Sequence, residues 1–349
     1  MDWTSRTRAA FAPPAAAPDD DVIEELAQHV RAVYDAARAD GLSHDQADRL
    51  VAEHLERWQR DAAALRHRSR RQALVEPPPV GRMSPVPEPA DLAALHAREL
   101  PQKDQLCGAF WGALALAAAG HQVDQDDVAL RAGTTLAEGD PSGWLPPGAS
   151  PRTDYRLGIP VAADEPSSGT SATGVARAVE ELSGRSLAVV PVAGPWSAGT
   201  VVSLLEVVST VVAGPSTGCT LVANLRTGRL WGSRPGPALI LDHLSGRPVE
   251  PPQADWDCGH FVGLAGSVVG PGGTLVIVRD TYRELGWDGY HLQPAGALAA
   301  ALARGDGKGG GVLCVCAAAA AGALAGELET AGFEVRPWDN GSADPGGGG

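Results

Sequence analysis

Apolar residues recur at helical spacing from Val22 onward, at Ile23, Leu26, Ala27, Val30, Val33, Tyr34 and Ala37, which predicts an amphipathic helix. Asp19, Asp20 and Asp21 stand at its start, where the partial positive charge of a helix N-terminus favours acids, and Gly41 ends it. Ser43-His-Asp-Gln46 has the spacing of a capping box and opens a second helix. The apolar face of that helix is Ala47, Leu50, Val51, Leu55, Trp58 and Ala62. Joined by Asp40-Gly-Leu42, the two form a helical hairpin. The period then disappears. Glu76-Pro-Pro-Pro79 through Pro85-Val-Pro-Glu-Pro89 predicts an extended, semi-rigid linker and a domain boundary.

Beyond the linker the pattern predicts short helices over 90–98, from Cys107 through Ala119, over 124–132 and over 170–182, with Gly133 and Gly184 as stops. Residues 134–170 keep no period, are rich in Gly, Pro and Ser, and predict a long surface loop. Strands are predicted at Leu187–Val192, Thr220–Leu225, Ala238–His243, His260–Ser267, Thr274–Asp280 and Gly311–Cys316. An apolar helix over 197–212 separates the first two, and Gly270-Pro-Gly-Gly273 turns a hairpin. Helices over 297–303 and 317–331 and a short strand at Phe333–Pro337 complete the pattern, and the chain is Gly-rich from Asn340. Helices first and an antiparallel sheet afterwards define an α+β class.

Composition narrows the function. Hydrophobic residues make up 44% of the 349 and aromatics only 5%, so Ala, Val and Leu must fill most of the core. A net charge of −14 argues against a general nucleic-acid binder, which needs a basic face. Lysine occurs only at Lys103 and Lys308. The basic run Arg66-His-Arg-Ser-Arg-Arg71 fits a solvated helix end, with membrane-surface or nucleic-acid contact as the alternatives. Five cysteines, an odd and sparse set, do not make a disulfide framework; a reducing, cytoplasmic setting is expected. The N-terminus lacks a basic start followed by an apolar run, so no signal peptide is expected. The uncharged stretch 309–326 is broken by glycines and reads as a strand and a helix, not a transmembrane segment.

Chemistry centres on Gln102-Lys-Asp-Gln-Leu-Cys107-Gly-Ala-Phe-Trp111, where a polar loop becomes an apolar helix. A thiol at a helix N-terminus ionises more easily, and the thiolate is the nucleophile. Such a cysteine needs a base, and the base needs a third group to orient it. His260 begins one strand of the hairpin and Asp280 ends the next, so the hairpin carries an imidazole and a carboxylate to nearly opposite positions. Other readings are bland: Cys107 as a buried core residue, His260 as a satisfied strand residue, and Cys314 and Cys316 as core packing. Asp242-His243 offers a rival base. Cys258 beside His260 offers a metal ligand or a disulfide partner for Cys107, though its spacing matches no strong zinc pattern. Gly305-Asp-Gly-Lys308 lacks the Ser or Thr of a phosphate-binding loop. No cofactor or metal is expected.

Gln102, Cys107-Gly108, His260-Phe-Val-Gly-Leu264 and Val278-Arg-Asp280-Thr-Tyr282, in that order, resemble papain-like cysteine peptidases. The nearest likeness is to the bacterial branch that cleaves leader peptides after double-glycine sites, which Gly289-Tyr-His-Leu-Gln293 and its helix also fit. The resemblance spans about residues 95–300. It implies a papain-like fold with Cys107 as nucleophile, His260 as base and acid, Asp280 as orienter and Gln102 as oxyanion donor, Gln105 ranking second for that last role. Thr281 stands where that branch has proline, and residues 134–170 and 185–256 exceed a minimal domain. Glu24-Glu25-Leu26, His29, Gly41-Leu42-Ser43 and Ala47 resemble the N-terminal prefix segment of bacterial ABC-type permeases, which implies a docking element for a protein partner.

The expectation is therefore a flexible lead-in over 1–18, a helical hairpin over 19–72, a linker over 73–90, a papain-like α+β domain over 91–338 and a disordered tail over 339–349. The expected function is a thiol hydrolase acting on a peptide or protein substrate through a thioester. The alternative is an inactive papain-like module that binds a peptide or partner.

Overall fold

The computed structural model describes residues 2–11, 18, 20–60, 81–140, 144–163, 167–212 and 218–343. The chain divides into two units, Met1–Pro79 and Val80–Gly349. The basic run at 66–71, the first half of the expected linker and residues 344–349 lie outside the described residues.

In the first unit, helices α2 (Asp20–Ala39) and α3 (His44–Arg60) form the expected hairpin. Ser43 N donates to Gln46 Oε1 at 2.8 Å and Gln46 N to Ser43 Oγ at 3.3 Å, the reciprocal bonds of a capping box. Val30, Val51 and Leu55 bury the seam. Within the lead-in, residues 3–10 form a helix: α1 (Trp3–Ala10) is capped by the Asp2 carboxylate, packs against both hairpin helices and pairs Arg6 with Asp48 at 2.7 Å. The turn signal missed there is Asp2, which accepts from Ser5 N.

The second unit is α+β. Its strands are β1 (Arg82–Pro85), β2 (Leu187–Ala193), β3 (Thr220–Arg226), β4 (Gly259–Gly270), β5 (Gly273–Arg279), β6 (Tyr290–Pro294), β7 (Gly311–Ala317) and β8 (Glu334–Val335). They form one antiparallel sheet in the order β6-β5-β4-β3-β7-β2-β8, with β1 on β4. Its helices are α4 (Leu92–Glu99), α5 (Cys107–Ala118), α6 (Gln125–Ala132), α7 (Ala172–Leu182), α8 (Ala198–Val211), α9 (Pro237–Leu244), α10 (Ala295–Ala303) and α11 (Ala318–Thr330). Strand side chains alternate between faces. Val312, Cys314 and Cys316 therefore join α8, α10 and α11 in one core, while Leu313 and Val315 join α4, α5 and α7 in the other. Both faces being covered, strands such as β3 and β7 read as continuous apolar runs.

Three expectations need correction. Residues 238–243 are not a strand but lie in helix α9: Gly236 stands at the N-cap and Pro237 at the first helical position, where a fixed φ and a missing N–H suit the helix. The linker is shorter than 73–90, because Arg82–Pro85 pairs with Val269–Gly266 and Val86 is buried in the core. The folded unit also runs past 338, since Asn340 is buried and Ala343 N donates to Ser167 O at 3.0 Å. Strand β6 was hidden in sequence by its polar members, His291 and Gln293, which are both buried.

Candidate active site

Cys107 opens α5, where the first amides of a helix have no partner within it. Gly108 lets this turn press onto its neighbours: a Cβ there would lie 3.0 Å from Val175 and 3.3 Å from Phe261. Farther along, Trp111 covers Gly263 of β4 so closely that a Cβ at 263 would sit 2.3 Å from its ring. The helix is thereby fixed on the strand that carries His260. Cys107 is half-buried and lines a cleft of about 470 Å³ together with Gln102, Gln105, Trp256, Cys258 and His260.

The hairpin brings His260 and Asp280 together, but not by the simple opposition expected. Gly270 pairs with Gly273 and Gly266 with Ile277; then Ala265 is unpaired, and Leu264 pairs with Val278. In the register set by the turn, Asp280 would face Gly263 and lie on the sheet face away from His260. The one-residue bulge at Ala265 moves Asp280 beside Val262, so that the two share a face as diagonal neighbours. Gly266, at φ +149, permits the bulge; a Cβ there would lie 2.6 Å from Ser84 O of β1.

His260 Nε2 lies 3.1 Å from Asp280 Oδ1 and 3.3 Å from Thr281 Oγ1, and Cys107 lines the same cleft as the imidazole. Burial disfavours the imidazolium, yet the charge and hydrogen bond of Asp280, joined by Cys107, push the His260 pKa up to about 10. Asp280 is held the other way. Burial raises its pKa, but His260 and then His291 pull it well below the usual carboxylate range. Its Oδ1 also accepts from Thr281 N at 2.7 Å, and His291 Nε2 lies 3.5 Å from Oδ2. Trp256 meets the His260 ring edge-on at 5.0 Å between centroids, and Tyr282 stacks on it at 6.3 Å, which excludes water from the pair.

Gln102 sits at the Cys107 end of the same cleft. Its backbone N donates to Thr281 O at 3.0 Å, and its Oε1 accepts from Thr281 Oγ1 at 2.5 Å. With the carbonyl oxygen engaged, the amide Nε2 is left to face the cleft. Gln105, the second candidate, has its Oε1 bound to Ala137 N at 2.6 Å and its backbone at φ +61, so it anchors the loop after α6.

The loop bearing Gln102 is fixed by a buried cation. Lys103 Nζ lies 2.9 Å from both Asp124 and Asp126, and Asp126 Oδ2 takes the amide of Leu157 at 3.1 Å. Arg152 and Tyr155 bind the same loop at Pro101 O and Asp104 O. The described residues around Arg152–Leu157 are thus tied down, and Ala137, Trp144, Leu145, Ser168 and Gly169 form one wall of the cleft.

Several contributors escaped sequence reasoning. His96 Nε2 donates to Asp280 O at 2.6 Å while its ring stacks on Trp111; burial lowers its pKa to about 4, so it is neutral. His291 and Thr281 touch the central pair from β6 and from the end of β5, and the alternation of His291 with Gln293 along a strand was the available signal. Cys258 is near Cys107, but burial and then the Cys107 charge raise its thiol well above the ordinary range and keep it protonated. His243 lies on α9 against Trp231 and outside the cleft lining. Among the described residues, no group of three His, Cys, Asp or Glu side chains is arranged to hold a metal ion, and no helix is long and apolar enough to cross a membrane.

Comparison with curated proteins and with solved structures returned no match. Residues 86–339 match a family described as being of unknown function, DUF6885. The matched segment includes Gln102, Cys107, His260, Asp280, both cores and the cleft lining except Asn340 and Ser342, and leaves the N-terminal helices outside. The chain belongs to the DUF6885 family.

Proposed function

We propose that this protein is a thiol hydrolase of papain-like fold, acting on a peptide or protein substrate through Cys107, His260 and Asp280. The observation that carries the reading is the convergence of Cys107, His260 and Gln102 on one cleft, with His260 Nε2 3.1 Å from Asp280 Oδ1. In this reading the Cys107 proton has passed to His260 Nδ1 before Sγ attacks the acyl carbon. The oxyanion meets the Cys107 N–H and Gln102 Nε2. Collapse forms a thioester, and His260 returns the proton to the departing amine. Water, deprotonated by His260, then releases the acid and the free thiol. Asp280 stays ionised, fixes the tautomer with hydrogen on Nε2 and stabilises the imidazolium.

The test is selective alkylation. Iodoacetamide should modify Cys107 well ahead of Cys219, Cys258, Cys314 and Cys316, three of which are buried, and His260→Ala should remove that advantage. Equal rates for Cys107 in wild type and His260→Ala refute the activated thiolate and favour a module that only binds.

A further inference from the structure

Three cations line the Cys107 cleft: Arg226 at the end of β3, and Arg304 and Lys308 between α10 and β7. Among the described residues, the lining holds one carboxylate, Asp104. In a chain of net charge −14 this is a local reversal. The acids that pair with the arginines stand outside the lining. Asp257 Oδ1 accepts from Arg226 Nε at 2.5 Å, and Asp306 accepts from Arg304 Nε and Nη2 at 3.2 and 2.9 Å. Each guanidinium is held by an acid on one side and borders the cleft on another.

Arg304 is the most constrained of the three. Its side chain is 4% exposed, and its backbone sits at φ 60, ψ −68, a region residues with side chains rarely occupy. Such strain persists where the surroundings enforce it and concentrates at ligand sites. A guanidinium has five donors. Asp306 takes two from Arg304, and Asn224 Oδ1 lies 3.5 Å from Nη1, which leaves two. Gly259, exposed and next to His260, keeps the group within reach, because a Cβ there would lie 3.1 Å from Nη2.

We propose that Arg226, Arg304 and Lys308 form an anion subsite beside the nucleophile, so that the substrate carries a carboxylate close to the bond that Cys107 attacks. The carboxylate is an acidic side chain or a chain terminus. This assignment rests on the thiol-hydrolase reading for the reaction but on the cleft's charge for the ligand.

The probe is a pair of alkylating reagents with one leaving group and different charge. Rates of Cys107 modification by iodoacetate and by iodoacetamide are measured by mass mapping in wild type, Arg226→Gln, Lys308→Gln and the double variant. Each protein's own iodoacetamide rate is the denominator, so the ratio reads the charge of the cleft. Removing one cation several ångströms from the sulfur should lower the ratio by roughly two- to fivefold, and added salt should shrink the difference. An unchanged ratio in the double variant overturns the subsite. Because Arg226 is one-third exposed and lies at a strand end, its variant keeps the test independent of whether a change at buried Arg304 folds. Hexapeptide libraries with amide or free-acid termini separate the sources: selection of Asp or Glu in the amide series assigns a side chain, and preference for the free acid assigns a terminus. Turnover with no acidic preference in either series overturns the substrate assignment. Should iodoacetamide react with Cys107 no faster than with an unactivated thiol, the hydrolase reading fails while the charge ratio still decides the subsite.

Discussion

Replacing Asp280 by Asn tests the electrostatic centre of the site with little change of shape. Asparagine keeps an Oδ1 to accept from Thr281 N and Tyr282 N, now at 2.7 and 3.3 Å, so the change removes charge more than hydrogen bonds. Both side chains of the pair are 1% exposed, so solvent screens them little. The rise of the His260 pKa from 6.5 to about 10 corresponds to stabilisation of the imidazolium on the order of 4–5 kcal/mol. That is an upper bound for Asp280, since Cys107 contributes to the same shift. The folded His260 pKa lies above its unfolded value, so this contribution is present in full below pH 6.5 and is lost as pH rises toward about 10. Asp280 is displaced the other way, and its share is present above pH 3.8 and lost on acidification. The pair therefore stabilises the fold most between about pH 4 and 6.5. Urea unfolding of wild type and Asp280→Asn at pH 5.5, 7.5 and 9.5 should show a difference of about 3–5 kcal/mol at the lowest pH, as for a broken buried pair, shrinking steadily toward the highest. A difference that stays constant with pH, or grows, would refute the reasoning.

Two further predictions concern the supports of the site. Lys103→Met strands Asp126, which is fully buried, and should cost about 3–5 kcal/mol in urea unfolding; Lys103→Met/Asp126→Asn should recover part of that loss, and strict additivity of the two changes would contradict the pairing. Gly266→Val disfavours the bulge, because φ at 266 is +149 and a Cβ there would lie 2.6 Å from Ser84 O, and a register continued from the turn would put His260 and Asp280 on opposite faces of the sheet. Rapid alkylation of Cys107 should then be lost while far-UV circular dichroism still reports the sheet, and retained reactivity would show that the bulge does not set the pair.

Much of this arrangement is legible in the chain. The Cys107 helix, the strands beginning near His260 and ending near Asp280, and the Gly270–Gly273 turn follow from period and punctuation. What the period cannot register is a single unpaired residue inside a buried strand. Ala265 is as apolar as its neighbours, yet it decides which face Asp280 occupies. Helix α9 was misread because Ala238–Leu241 is a short apolar run that fits either period, and Pro237 was the signal that should have prevailed. Thr281 was legible only as a departure. In the fold its hydroxyl joins Gln102 to His260, which a proline could not do. His96 lies in a sequence-distant helix, 184 positions from the carbonyl it supports, and no local pattern points to such a pairing.

The last described residues matter to the order in which the cleft is built. Asn340 and Ser342 line it, and Asn340 Nδ2 donates to Thr170 O at 3.0 Å, so one wall is supplied some 230 residues after the nucleophile. At about 5–20 residues per second, a ribosome adds that wall on the order of ten to fifty seconds after Cys107. A nascent chain therefore carries its thiol through the addition of some 230 further residues before the enclosing cleft is complete, and the site is finished only after the whole matched segment has been translated.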